Sequence, residues 1–208
     1  MAKKGNGNLL NLLMVFAKNP VKGAVKSRLA KTIGTEKALQ IYKDLVHRTI
    51  EAANPLPCDK AVFYSNHIDK NDEWSEAGFQ QFVQSGDELG ARMANAFDEK
   101  LMQYQKVVII GSDCPDISTT ILQQAFETLN DKDIVLGPAE DGGYYLLGMK
   151  QLIPELFQNK PWSTHHVLKA TLEDFKNLDL KYDLLSELND LDNYEDLKQS
   201  GFYKGTLS

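Results

Sequence analysis

The chain has 208 residues, 42% of them hydrophobic and 25% charged, which suits one substantial core and excludes a disordered polymer or two ordinary domains. A formal net charge of −6 argues against a general nucleic-acid-binding surface. Cys58 and Cys114 are the only cysteines, so no disulfide framework is implied and a reducing cytoplasm fits.

The opening "MAKKGNGNLLNLLMVFA" imitates a secretory leader, but Asn11 interrupts the apolar stretch and "FAKNP" lacks a small-x-small cleavage pattern. The run is also far shorter than the ~20 residues that span a bilayer. Leu9 to Ala17 therefore reads as a buried first strand, preceded by a flexible tail over residues 1–8. Next comes "KNPVKGAVKSRLAK", which gathers Lys18, Lys22, Lys26, Arg28 and Lys31. Pro20 and Gly23 oppose a helix in its first half, so the segment reads as a loop that enters a helix at about Arg28. A cationic loop after a strand suits a phosphate; a solvated helix face is the alternative.

Apolar periodicity then marks a helix through Ala38, Ile41, Tyr42, Leu45, Val46, Thr49, Ile50 and Ala53. A second runs through Leu89, Met93, Ala96, Phe97, Leu101 and Tyr104. A third runs through Ile121, Leu122, Ala125, Phe126 and Leu129, with Ser118 as its N-cap. The last long one spans Val167 to Leu178, opened by Ser163 or Thr164. Between them lie runs of strand length: "KAVFYS", "FQQFV", "KVVIIGS", "DIVLGP" and "YYLLGM", with "KYDLLSEL" as a later candidate. Strands alternating with helices predict an α/β layered domain, and continuous runs such as "VVII" suit central parallel strands covered on both faces. Residues 9–208 read as one domain.

In open α/β sheets ligands sit beyond the carboxyl ends of the strands, so the residues just after each run are the candidates for a site. "SDCPD" puts Asp113 at the end of a central strand, where a partly desolvated carboxylate is costly unless paired or bound to a cation. It also reads as a turn or N-cap aspartate. A Mg²⁺ ion uses few protein carboxylates and fills its shell with phosphate oxygens and water; Asp113 plus one of Asp190 and Asp192 would suffice. "LDNYEDL", however, also reads as the capped start of a final helix. "EDGGYY" offers Asp141 beside Gly142 and Gly143, where a ligand approaches the backbone or the chain makes a tight turn. A Cys114 nucleophile lacks a partner signature among His47, His67, His165 and His166. Neither a P-loop nor a dinucleotide fingerprint is present.

Taken together, "KNPVKGAVKSRL", "QSGDELGARM", "IIGSDCPD", "GPAEDGGYYLLGM", "WST" and "LNDLDNYEDL" resemble a bacterial family of GT-A-fold, glycosyltransferase-like proteins, also described as radical-SAM/selenodomain-associated transferases. More distantly the chain is similar to the molybdopterin and phospholactate guanylyltransferases. The resemblance spans about Leu12 to Leu197 and implies a single-domain nucleotide-diphospho-sugar transferase fold, a three-layer sandwich on a mainly parallel sheet. It implies that Lys18, Lys22, Lys26 and Arg28 wrap the donor phosphates, with Lys22 also serving the chemistry. Gln84, Leu89 and Gly90 fall on a base-reading segment. Asp113 and Asp192 fall on the ligands of Mg²⁺ or Mn²⁺, and Asp141, Gly142 and Gly143 fall on the acceptor side, with Asp141 catalytic. The implied partners are a nucleoside di- or triphosphate or nucleotide sugar and a small-molecule acceptor, with no nucleic acid and no membrane span. The opening loop lacks the nucleotidyltransferase glycine pair and "SDCPD" lacks a D-x-D pair, features that a non-catalytic nucleotide-binding accessory protein of the same fold would share.

Overall fold

The protein is described by a computed structural model over residues 10–202. The expected tail, residues 1–8, and the first residue of the expected first strand, Leu9, lie outside the described residues. The first strand, β1, covers Asn11–Ala17. The other runs form β2 (Asp59–Tyr64), β3 (Gln80–Val83), β4 (Lys106–Gly111), β5 (Ile134–Pro138) and β6 (Tyr144–Met149), and "KYDLLSEL" supplies the short edge strand β7 (Tyr182–Leu184). They make one seven-stranded sheet in the order β3-β2-β1-β4-β6-β5-β7.

All pairings are parallel except those of β6, which runs antiparallel to both β4 and β5. The cause is local. A parallel partner needs a long crossover, whereas "AEDGG" turns the chain at once, with Gly142 N–H donating to the Ala139 carbonyl at 3.0 Å.

Strand alternation sends successive side chains to opposite faces. In β1, Leu13, Val15 and Ala17 enter the core under helices α2 (Thr35–Ala53) and α5 (Thr119–Thr128). Leu12 and Met14 enter the core on the other face, with Met93 and Phe97 of α4 (Leu89–Leu101) and Phe175 of α6 (Val167–Asn177). Each Leu, Val, Met or Phe among them contributes roughly 1.5–3 kcal/mol on full burial, so the sheet is held from both sides. A third cluster joins Ala38, Ile41 and Leu45 of α2 to Leu29 of α1 (Ser27–Ile33) and to Leu191 and Leu197. It ties the loop after β1 to the C-terminal segment. Helix α3 (Glu73–Glu76) is a single capped turn, and α7 (Tyr194–Ser200) closes the described chain.

Caps obey local chemistry. The Ser118 hydroxyl accepts from the Ile121 N–H as expected. The last long helix, however, begins at Val167 and not at Ser163 or Thr164. Ser163 is held at φ 61°, a left-handed conformation that cannot continue a helix.

Candidate active site

The loops after β1, β4 and β5 leave the same edge of the sheet, and a fourth segment joins them. After β7 the chain runs along the end of β5: Leu188 N–H donates to the Pro138 carbonyl at 3.1 Å, and Leu191 N–H donates to the Asp113 carbonyl at 3.0 Å. Asp190 and Asp192 are thereby delivered beside Asp113. The cap of α7 is also real, since the Asn193 side chain and Asp196 form a reciprocal capping box. Both roles expected of "LDNYEDL" are compatible, because the cap starts one residue after Asp192.

Loop 18–26 is fixed at both ends. The Tyr42 hydroxyl donates to the Lys18 carbonyl at 2.7 Å and accepts from the Lys18 N–H at 2.9 Å. Buried Asn19 donates to the His67 carbonyl and accepts from the Asn66 and His67 N–H groups. The loop turns at Gly23 (φ 82°) and ends at Lys26 with φ 47° and ψ 44°. A non-glycine residue held there stores strain of order 1–3 kcal/mol, a cost that recurs at functional sites. Its consequence is the direction of the side chain. The Lys26 ammonium, 3% exposed, stands 2.8 Å from Asp113 Oδ1 and 3.2 Å from Asp192 Oδ1. Burial alone would push its pKa down, but Asp113 and then Asp192 outweigh that, and the net shift is upward.

Two adjoining lobes open here. The smaller, about 340 Å³, is polar and lined by Lys18, Lys26, Arg28, Tyr42, Asp113 and Asp192. The larger, about 810 Å³, shares Arg28, Asp113 and Asp192 with it and adds Asp141 and Asp190. Its apolar wall includes Phe16, Leu89, Met93, Tyr144 and Trp162. Four carboxylates therefore face one space. Partly buried Asp190 feels it most: burial first, then the charge of Asp113, with Asp192 and Asp141 adding and Lys26 opposing, pushes its pKa up to about 7. A carboxyl whose pKa is raised on folding contributes stability below its unfolded value, near 4, and loses it as pH climbs through the folded value. The metal-free Asp190→Asn protein should therefore melt at least about 2–4 °C above the parent at pH 8, the shift that 1 kcal/mol gives at this size. At pH 4 the difference should vanish. Thermal unfolding monitored by circular dichroism at the two pH values checks this.

Several expected site residues stand elsewhere. Lys22 is an ion-pair partner of Glu36 on α2 and lines neither lobe. Gln84 spends its amide on the Phe63 carbonyl at 2.9 Å and accepts from Arg92, also outside both lobes. The space that Gly90 leaves is filled by the Trp162 indole, which a Cβ would meet at 2.2 Å. Gly142 likewise serves the chain: at φ 86°, its Cβ would lie 2.3 Å from the His165 carbonyl oxygen. These two glycines seat the 162–165 segment and present no open backbone to a ligand. Gly143 does line the larger lobe, and Asp141 caps the turn by accepting from its N–H at 2.8 Å.

Trp162, His165 and His166 form a wall of the larger lobe that sequence patterns mark only through "WST", with no role attached. No further sequence signal marks it, because the glycines that Trp162 and His165 meet, Gly90 and Gly142, are distant in the chain. Cys114 is buried, and burial first, then Asp190, pushes its thiol up to about 12. It stays protonated at neutral pH, which removes the nucleophile idea. Among the described residues no three His, Cys, Asp or Glu side chains make a ready metal cage, and no helix is long and apolar enough to cross a membrane.

The fold has counterparts among solved structures. The crystal structure of a provisionally assigned nucleotide-diphospho-sugar transferase from Desulfovibrio desulfuricans G20 superposes with a TM-score of 0.83 at 29% identity, over 95% of this chain and 91% of that one. The inositol-1-phosphate CTP transferase of T. maritima gives 0.58 at 13% identity, over 94% of each chain. A manganese complex of Rv0371C from Mycobacterium tuberculosis H37Rv gives 0.52 at 11% identity, over 91% of this chain and 97% of that one. The last two establish shared fold alone. No curated protein sequence matches the chain. The family model described as "Uncharacterized protein conserved in bacteria (DUF2064)" matches residues 49–164, more than half the length. With its mostly parallel sheet and structural counterparts of the nucleotide-diphospho-sugar transferase fold, the chain belongs to the DUF2064 family.

Proposed function

We propose that this single domain is a metal-assisted transferase that uses a nucleotide-activated donor, by nucleotidyl transfer from a nucleoside triphosphate or glycosyl transfer from a nucleotide sugar. The observation that carries this is the meeting of Lys18, Lys26 and Arg28 with Asp113, Asp190 and Asp192 in one continuous two-lobed cavity. The polar lobe is suited to a di- or triphosphate. The larger lobe, with its apolar wall and Asp141, is suited to the acceptor and to the uncharged part of the donor.

Asp113 with Asp190 or Asp192 would hold Mg²⁺ or Mn²⁺. The donor set fits, because hard carboxylate oxygens suit these ions and the crowding that raises the Asp190 pKa is what a divalent charge would relieve. Such an ion supplies neutralisation of the polyphosphate charge. The chain's own groups do the rest. Arg28 and Lys18 orient the phosphates and stabilise the departing pyrophosphate or nucleoside diphosphate. In either reaction the acceptor oxygen forms the new bond, to the α-phosphorus or to the anomeric carbon, as the bond to the leaving polyanion breaks. The acceptor proton passes to Asp141.

This division makes the loop cations unequal. Arg28→Ala should weaken nucleotide binding about tenfold or more, the value of a charge-assisted contact. Lys22→Ala should leave it within about twofold. Calorimetry on the two variants reads the difference directly. Asp141→Asn should hold nucleotide affinity within about threefold while lowering turnover about 10²-fold, the scale of a lost general base.

The reading itself is tested by incubating the protein with Mn²⁺, a panel of nucleoside triphosphates and nucleotide sugars, and a mixed acceptor extract. Release of pyrophosphate or nucleoside diphosphate, lost in Asp113→Asn, supports it. Tight nucleotide binding with no release under any pairing would favour the non-catalytic accessory protein, which the missing glycine pair in "FAKNPVKG" also suits.

A further inference from the structure

The Lys26 ammonium lies where a cation bound by Asp113 and Asp192 would lie. It touches an oxygen of each, at 2.8 Å and 3.2 Å, and is almost entirely buried. The left-handed backbone at Lys26 aims the side chain inward, and Arg28, which also lines the polar lobe, reaches only Asp192, at 3.9 Å, from a position 75% exposed. We infer that Lys26 is the resident cation of the carboxylate cluster: it excludes a divalent ion from the nucleotide-free protein and gives up its place when a polyphosphate in the polar lobe offers its ammonium new partners. The inference rests on the transferase reading in one respect, that Asp113 and its neighbours are the metal ligands.

A buried ammonium stripped of both carboxylates is strongly disfavoured unless other acceptors replace them. A metal ion arriving alone must therefore shed its own water and also strand Lys26. A polyphosphate removes the second cost, because the polar lobe that receives it is lined by Lys26 itself together with Lys18, Ser27 and Arg28. Metal and nucleotide then bind with positive coupling, and each must raise the affinity of the other by the same factor. Lys26 thus sets the order of assembly and keeps adventitious divalent ions out of the empty site.

The test uses Mn²⁺ alone, without nucleotide, and reads the loss of the free-ion paramagnetic resonance signal and, in parallel, thermal unfolding. Lys26→Met should bind Mn²⁺ at least about tenfold more tightly than the parent and gain more in melting temperature from it. Lys26→Arg, which keeps a charge in place, should bind as weakly as the parent. Lys26→Met combined with Asp113→Asn should lose the gain. Lys26→Gln serves if the methionine variant does not fold. Equal Mn²⁺ affinity in the parent and in the charge-removing variants would overturn the exclusion role while leaving the metal assignment standing. No Mn²⁺ binding in any nucleotide-free variant would overturn the exclusion role, and failure of Mn²⁺ to bind with a nucleoside triphosphate present would overturn the metal assignment as well.

Discussion

Asparagine in place of Asp113 is expected to lower turnover about 10²–10³-fold, the cost of removing a group that stabilises charge developing in the transition state. The side chain sits two residues beyond the end of β4, whose register with β1 pairs Ile110 with Val15 and Gly111 with Phe16. Position 113 is thus fixed by the most buried part of the sheet, and an isosteric amide will stay in place. What changes is charge. Lys26 loses one of its two anionic partners, and removing one member of a buried pair costs about 3–5 kcal/mol in full burial. Asp113 is one-third exposed and Asp192 remains, so about 1–2 kcal/mol is the fair expectation, or a fall in melting temperature of about 2–8 °C. Adding Lys26→Met removes the stranded ammonium and should recover part of that fall without recovering turnover. Steady-state kinetics and melting curves on the single and double variants separate the chemical role from the structural one.

Gly142→Ala should be the most damaging single-methyl change in the site, lowering stability by about 3 kcal/mol or more. Two costs add. A side chain at φ 86° is strained by about 1–2 kcal/mol, and the new Cβ would approach the backbone carbonyl oxygen of His165 to 2.3 Å. Backbone cannot rotate away as a side chain does, so the β5–β6 turn and the 162–166 wall must part. The Leu168 N–H bond to the Gly142 carbonyl, 3.0 Å, goes with them. A fall of about 6–12 °C is expected from the usual scaling. Gly201→Ala is the control: at φ 60° and ψ 9° it is ordinary left-handed backbone, and nothing lies within 4 Å of the new methyl, so it bears the left-handed cost alone. Similar melting temperatures for the two variants would show that the clash is not felt.

The layered fold was legible because the runs that build it are written plainly. "LLMVFA", "VVII" and "IVLG" are apolar without interruption, and they became strands buried on both faces. Helices with a three-to-four spacing covered them. The direction of β6 was not legible in periodicity, since an apolar run looks alike in either direction; only the tight turn at "EDGG" decides it. The position of Asp113 was legible from the strand end before it.

The division of labour among the loop cations was not. Lys18, Lys22 and Lys26 are identical in type and four apart, and the backbone dihedral at Lys26 sends one inward while Lys22 pairs with Glu36 outside. No local signal announces that. Gly142 reads as ligand space because a missing side chain is visible in sequence, and Gly90 is placed on a base-reading segment by resemblance alone, whereas the carbonyl and the indole that meet them come from residues 165 and 162. Asp190 was seen as one of a pair, but its raised pKa arises from carboxylates that meet only in three dimensions.

Titrating nucleoside triphosphates into the parent and Asp113→Asn proteins by calorimetry, with and without Mn²⁺, decides whether the carboxylate–lysine cavity is a metal-dependent nucleotide site. At least one nucleotide should bind the parent about tenfold more tightly with the ion present, and Asp113→Asn should abolish the gain. Binding of the same strength in both proteins, or no dependence on the ion in the parent, would contradict that reading.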